Sequence, residues 1–266
     1  VKKIIITILL TFALMMGMTS MSFASTSAGT VQDETQDQIQ AMIQDQTQDQ
    51  DQLREQDRQR LRDRLCITDS AIQLYQERTR TQAQIRFSDI ENNWAREQIR
   101  NAWAYRLFDG YPDGTFRPNA TISGTECLLV ANRLMNCLGG LDPGNITPGA
   151  VDWNGVPVWA REQLQEQNAQ RLMAETNYYQ DALMNRAHVA VMLAKALQID
   201  PIDEPALVQT RFRDQNRIAE TDLGYILALQ NMGILNGYTD GTYQPERSVT
   251  RAEFSVMMTR ILDILE

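Results

Sequence analysis

The sequence predicts a mainly α-helical fold built from three tandem repeats, each a helix, a loop and a capped second helix. Three observations carry that reading. Gly110-Tyr111-Pro112-Asp113-Gly114-Thr115-Phe116-Arg117-Pro118 reappears in altered form as Gly237-Tyr238-Thr239-Asp240-Gly241-Thr242-Tyr243-Gln244-Pro245, an offset of 127 positions. The same offset lays Ile122-Ser123-Gly124-Thr125-Glu126 on Val249-Thr250-Arg251-Ala252-Glu253. Behind each stretch runs an apolar stripe at helical spacing: Cys127, Val130, Ala131, Leu134, Met135 and Leu138 against Phe254, Met257, Met258, Ile261, Leu262 and Leu265.

The chain begins with an expected address rather than a fold. Lys2 and Lys3 precede an apolar run from Ile4 to Met18, and Ser22-Phe23-Ala24 closes it. That pattern predicts a secretory signal peptide over 1–24. The competing reading is a membrane anchor, but fifteen residues of helix reach only about 22 Å against a hydrocarbon core of about 30 Å. No stable membrane span is therefore expected after cleavage. Val1 reads as a start codon other than the usual one, hence a bacterial gene.

A polar spacer or helical stalk is expected over 25–86. From Gln32 to Gln59, 28 residues include 11 Gln and 8 Asp or Glu, with Ile39, Met42, Ile43 and Leu53 nearly alone as large apolar residues. Such a stretch buries too little to offset chain entropy of about 1–2 kcal/mol per residue. Leu61, Leu65, Ile72 and Tyr75 have loose helical spacing among arginines, so self-association through 31–84 is a possible role.

The repeats are placed at 87–140, 141–200 and 201–266. First helices are expected over Ala95 to Tyr105 and Leu223 to Met232. Second helices open on the capping boxes Ser123-x-x-Glu126 and Thr250-x-x-Glu253, where hydroxyl and carboxylate reciprocally satisfy helix amides. Asp113-Gly114 and Asp240-Gly241 suit tight turns that need positive φ. A middle copy is recognised by Trp159-Ala160 against Trp94-Ala95, and by Asn185-Arg186-Ala187 against Thr250-Arg251-Ala252. Its stripe is Val189, Met192, Leu193, Ala196 and Leu197. The middle copy is degenerate: it lacks the Gly-Tyr-x-Asp-Gly loop, and His188 stands where the reciprocal Glu belongs.

Charge narrows the function. With 34 Asp plus Glu against 25 Lys plus Arg, the formal charge is −9, which argues against a nucleic-acid partner. Only Lys2, Lys3 and Lys195 are lysines, so the remaining cations are arginines. One His and three Cys offer little for His-based catalysis or a thiolate metal cage, and neither a metal site nor a cofactor is expected. Asp113 and Asp240 lack the ligand series of a calcium loop. Cys127 and Cys137 lie about 15 Å apart along one helix, too far for a disulfide, and Cys127 is expected as a buried thiol. Cys66 in the spacer has no partner nearby in sequence.

These motifs together resemble the S-layer homology domain. The resemblance rests on Phe87-Ser88-Asp89 with Trp94-Ala95, Phe212-Arg213-Asp214, the two Gly-Tyr-x-Asp-Gly loops and Thr250-Arg251-Ala252-Glu253. It covers roughly residues 87–264, with only Val151-Asp152 as a weak match opening the middle copy. It implies a pseudo-threefold helical bundle whose grooves bind secondary cell-wall polysaccharide, often pyruvylated, holding an exported protein on the cell surface without covalent bonds.

The resemblance implies glycan contacts from Arg251, Arg186, Trp94, Trp159, Asp89, Asp214, Gly110 and Gly237. Two arginines draw independent support. Arg251 and Arg186 occupy the first helical position, where a cation is disfavoured by about 0.3–1 kcal/mol, so helix stability does not explain them. An anion there would meet guanidinium, free amides and the positive dipole end together. Trp94 and Trp159 either stack on sugar or pack against the bundle. Gly124 stands where copy one should have its arginine, so one or two working grooves are expected. No catalytic residue is assigned. Two alternatives remain: an assembly protein whose stalk oligomerises and whose repeats contact other proteins, and a wall hydrolase with an unrecognised site.

Overall fold

A computed structural model describes residues 87–138, 151–203 and 212–263, with Gln56 and Gln59. All of these fall within one compact unit, Leu53–Glu266; the other unit, Val1–Gln52, lies outside the described residues. So do the expected leader, nearly all of the spacer, and Cys66.

Between residues 87 and 263 the described chain forms seven α-helices and no strand. The first segment holds α1 (Arg96–Ala104) and α2 (Gly124–Cys137). The middle segment holds α3 (Val158–Arg161), α4 (Gln167–Glu175) and α5 (Arg186–Ala196). The last holds α6 (Glu220–Asn231) and α7 (Arg251–Leu262).

Local sequence accounts for these starts. Both capping boxes form: Ser123 accepts from the Glu126 amide and Thr250 from the Glu253 amide, with the carboxylates bonded back. Asn185 caps α5 by accepting from the His188 amide at 2.8 Å. Each such cap is worth about 1 kcal/mol. In the middle segment the first helix is divided. α3 gives way to a 3₁₀ turn at Gln163–Gln165, and Glu166 is extended before α4 begins. The Glu166 carboxylate is held there by the Asn132 and Asn136 amides of α2, at 2.8 and 2.6 Å.

Second helices do not pack mainly on their own first helices. α2 lies against α4, α5 against α6, and α7 against α1. Each second helix therefore buries its stripe against the neighbouring segment. Cys127, Ala131, Leu134, Met135, Val189, Met192, Phe254, Met258 and Leu262 are all buried. At about 1.5–3 kcal/mol per large side chain, these contacts between segments, not contacts within one, hold the unit together. Burial pushes the Cys127 thiol well above the usual cysteine range, which suits a packing role.

Three backbone hydrogen bonds close a ring where the segments meet. The Ile122 amide donates to the Val249 carbonyl, Val249 to Met184, and Met184 to Ile122, each at 2.9 Å. Those three residues are fully buried just before the second-helix caps. The ring fixes where each helix start points.

Candidate functional site

Each helix start meets the loop of a neighbouring segment, giving three junctions of comparable plan. At the first, α7 meets the loop of the first segment. The Arg251 side chain donates from Nε to the Phe116 carbonyl at 2.9 Å and from Nη2 to the Asp109 carbonyl at 2.9 Å. Nη1 reaches Glu126 Oε1 at 3.0 Å. Its guanidinium lies over Phe116, Tyr111 and Phe108, 4.6–5.3 Å from the ring centroids. Only 5% of the residue is exposed.

At the second junction α5 meets the loop of the last segment. Arg186 Nε donates to the Tyr243 carbonyl and Nη2 to the Asn236 carbonyl, both at 2.9 Å. The rings beneath it are Tyr238 and Tyr243, at 4.7 and 4.9 Å. Tyr243 returns a hydrogen bond from its hydroxyl to the Arg186 carbonyl at 3.0 Å, and burial pushes that phenol well above its usual range.

At the third junction α2 meets the middle segment, where a 3₁₀ turn at Tyr178–Gln180 replaces the glycine loop. Gly124 takes the arginine's place. Its amide donates to the Asp181 carbonyl at 2.8 Å, and a Cβ on residue 124 would collide with the Tyr178 carbonyl. His188 stacks on Tyr178 with centroids 3.9 Å apart and bonds Asp181 through Nδ1 at 2.8 Å. Its ring thus bonds Asp181 rather than the cap amide that the reciprocal Glu would reach.

The other expected contacts shape the loops. Asp89 accepts from the Phe116 and Arg117 amides at 2.8 and 2.7 Å, and Asp214 from Tyr243 and Gln244 at 2.7 and 2.8 Å. Those clips hold Arg117 and Gln244 at φ 56° and 57°, which few non-glycine residues adopt. Gly110 and Gly237 give way to an aromatic: a Cβ at Gly237 would stand 2.7 Å from the Phe212 ring, and Gly110 faces Phe87 in the same way. The carboxylates are used within the protein.

Trp94 and Trp159 are 68% and 60% exposed. Packing against the bundle, one of the two roles expected for them, is therefore overturned; Trp94 lies in the turn before α1 and Trp159 is the second residue of α3, and each presents its indole to solvent. The Asp-Gly turns form as expected. Gly114 and Gly241 have φ of 78° and 82°, and Asp113 and Asp240 bind the following threonines. Hydrogen bonds from Thr115, then from Arg117, hold the Asp113 carboxyl down at about 2. Among the described residues no cluster of His, Cys, Asp and Glu is fit to hold a metal, and no helix is long and apolar enough to cross a membrane.

Sequence reasoning located both arginines but missed their partners. Residues 251 and 109 are far apart in the chain, and no local pattern reports such a contact. Arg133, Arg247 and Arg260, which flank the junctions, went unnoticed for the same reason.

A family model for the S-layer homology domain matches residues 86–126 and 211–255, which contain both glycine loops and the Phe-x-Asp clips. The chain is an S-layer homology domain protein. The middle segment lies outside both matches. Among curated relatives, a cellulosome-anchoring protein of Acetivibrio thermocellus is 28% identical over 160 residues, covering 58% of this chain and 35% of that protein. An S-layer protein of Bacillus licheniformis is 26% identical over 178 residues, 63% of this chain and 18% of its own length. An amylopullulanase of Thermoanaerobacterium thermosulfurigenes is 22% identical over 178 residues, 66% and 9% respectively. The chain thus spans about a third or less of these relatives. Through its S-layer homology domains it is a cell-surface, S-layer-associated protein.

Proposed function

We propose that this S-layer homology protein attaches non-covalently to an anionic secondary cell-wall polysaccharide, pyruvylated or otherwise charged, and performs no chemical step. The middle segment serves as a degenerate third copy, and the three copies form a pseudo-threefold bundle. The closed ring of Ile122, Met184 and Val249 hydrogen bonds supports that symmetry, as does the cyclic packing of second helices on neighbouring first helices.

One observation carries the functional reading. Both family-matched loops are gripped by an arginine from another segment, so a groove wall exists only where two copies meet. Arg251 and Arg186 each bring a guanidinium to the wall of those grooves. Trp94 and Trp159 supply exposed faces on which sugar rings can stack. Asp89, Asp214, Gly110 and Gly237 act by shaping the loops. With at most two arginine-gripped grooves, single-chain affinity is modest and display of many copies raises it.

Co-sedimentation of the chain with wall sacculi of its source organism tests this, before and after acid removal of ketals and polymer. Binding is expected to fall after treatment, and to fall in a Trp94→Ala, Trp159→Ala double variant, whose side chains are exposed enough to spare the fold. Binding that survives acid treatment would point to protein contacts and an assembly role. Release of soluble sugar would point to a hydrolase.

A further inference from the structure

The two arginine-gripped junctions use equivalent residues, with loops and second helices 127 positions apart and gripping arginines 65 apart, yet carry different charge. At the first, Arg251 is neutralised by Glu126 at 3.0 Å. A second cation, Arg133 of α2, donates to the Leu107 carbonyl at 3.3 Å and pairs with the Asp109 carboxylate at 2.7 Å. Two guanidiniums there face two carboxylates.

At the second junction both carboxylates are gone. Arg260 of α7 is the counterpart of Arg133 and donates to the Ile234 carbonyl at 3.2 Å, the counterpart of Leu107. The position of Asp109 is held by Asn236, whose side chain carries no charge. The counterpart of Glu126 is Glu253, but Arg247 captures it at 2.6 Å, where the first segment has only Ala120. Among the described residues neither Arg186 nor Arg260 has a carboxylate within ion-pair distance, and Arg186 Nη1 makes no hydrogen bond.

A guanidinium that is 6% exposed gives up most of its hydration, and two carbonyls and two rings, without a counter-charge, offset that only in part. The neighbouring cation aggravates this. Burial, then the nearness of Arg186, holds Arg260 below the usual arginine range, with Asp263 on the same helix opposing. The junction is accessible: Arg260 is half-buried and Asn236 exposed.

We propose that Arg186 and Arg260 together form an anion-binding site, entered beside Asn236, for a carboxylate or phosphate substituent of the wall polymer. The Arg251 junction is closed to anions by its own Glu126 and Asp109. Arg247 is a positioning residue, because it keeps Glu253 away from Arg186. This rests on the wall-attachment reading and adds which groove binds and why.

The test uses the full chain with three single variants: Asn236→Asp, Arg260→Gln and Arg247→Ala. Asn236→Asp recreates the Asp109–Arg133 pair on an exposed position, so melting temperature is expected to hold or rise. Each variant is expected to weaken sacculus binding by about tenfold or more, the range of a lost charge-assisted contact. Inorganic phosphate and a pyruvate-ketal monosaccharide serve as small probes, read by the Nε–H NMR signals of Arg186 and Arg260. Movement of both signals by either probe, absent in Asn236→Asp, supports the site, and the probe that acts identifies the source of the charge. Still signals with both probes, or variants that bind sacculi like the parent, overturn it. If the parent itself fails to bind sacculi, the wall-attachment reading fails instead.

Discussion

The Arg251 and Gly124 junctions occupy equivalent places and solve the same problem in opposite ways. At the first, a long cation crosses to a glycine loop and ties down two of its carbonyls, one carboxylate and three rings. At the other, the loop is replaced by a 3₁₀ turn whose backbone comes so close that no side chain fits. In the sequence the missing arginine belongs to the first copy and the missing loop to the middle one, as if two sites were impaired. In the fold they are one junction. The arginine and the loop it grips are lost together, which leaves the other two junctions whole.

The largest effect expected from breaking that comparison is at Arg251. Its replacement by Ala removes a buried guanidinium and its hydrogen bonds to the Phe116 carbonyl, the Asp109 carbonyl and the half-buried Glu126 carboxylate. Because Glu126 is partly solvated and keeps its bonds to Ser123, the loss falls at the low end of that for a broken buried pair, about 3 kcal/mol. Chemical denaturation should show that loss in the midpoint with the slope little changed. A loss under about 1 kcal/mol would mean the loop is held by Asp89 and packing alone.

Gly124→Ala comes next. An added Cβ meets backbone rather than a yielding side chain, so either α2 or the Tyr178 turn must move and the Gly124–Asp181 hydrogen bond lengthens. Overpacking of this kind costs about 1–3 kcal/mol, against a gain in helix propensity below about 1 kcal/mol. A net loss is expected by thermal or denaturant melting. If Gly124→Ala stabilised the chain, the third junction would be looser than its geometry implies, and an arginine there would have been tolerated.

How much of this was legible in sequence follows from the range of each interaction. Capping boxes, Asp-Gly turns and apolar stripes are encoded within a few residues, and Ser123, Thr250, Asp113 and Asp240 behave as their neighbours predict. Arg251 and Arg186 were singled out as unexplained by their own helices. What explains them lies in other segments, at Asp109, Phe116, Asn236 and Tyr243, beyond any local pattern. Trp94 and Trp159 illustrate the converse. A large aromatic carries a strong presumption of burial, and only the fold reveals that both stand in solvent. The charge difference between junctions was written in the sequence all along, as Asp109 against Asn236 and Ala120 against Arg247. It gained meaning only when Arg133 and Arg260 were seen beside those positions.

The smallest expected effect separates the two glycine loops themselves. Asp113 and Asp240 each bind the threonine two residues on, and both carboxyls are lowered chiefly by that side-chain hydrogen bond. Asp113 has in addition Arg117 at 2.9 Å, where the last segment has Gln244. Arg117→Gln makes the first loop resemble the last. The Asp113 carboxyl should then rise from about 2, while staying below its ordinary 3.8 because Thr115 remains. A carboxyl lowered by folding adds stability above its unfolded pKa and loses it as pH falls through the folded one. The loop's contribution in the parent is thus lost between roughly pH 3.8 and 2, and in the variant the loss should be complete at a higher pH. NMR titration of the Asp113 side-chain carboxyl in parent and variant measures this directly. An unchanged midpoint would make the Arg117 contact a solvent-screened pairing without influence, and the two loops electrostatically alike.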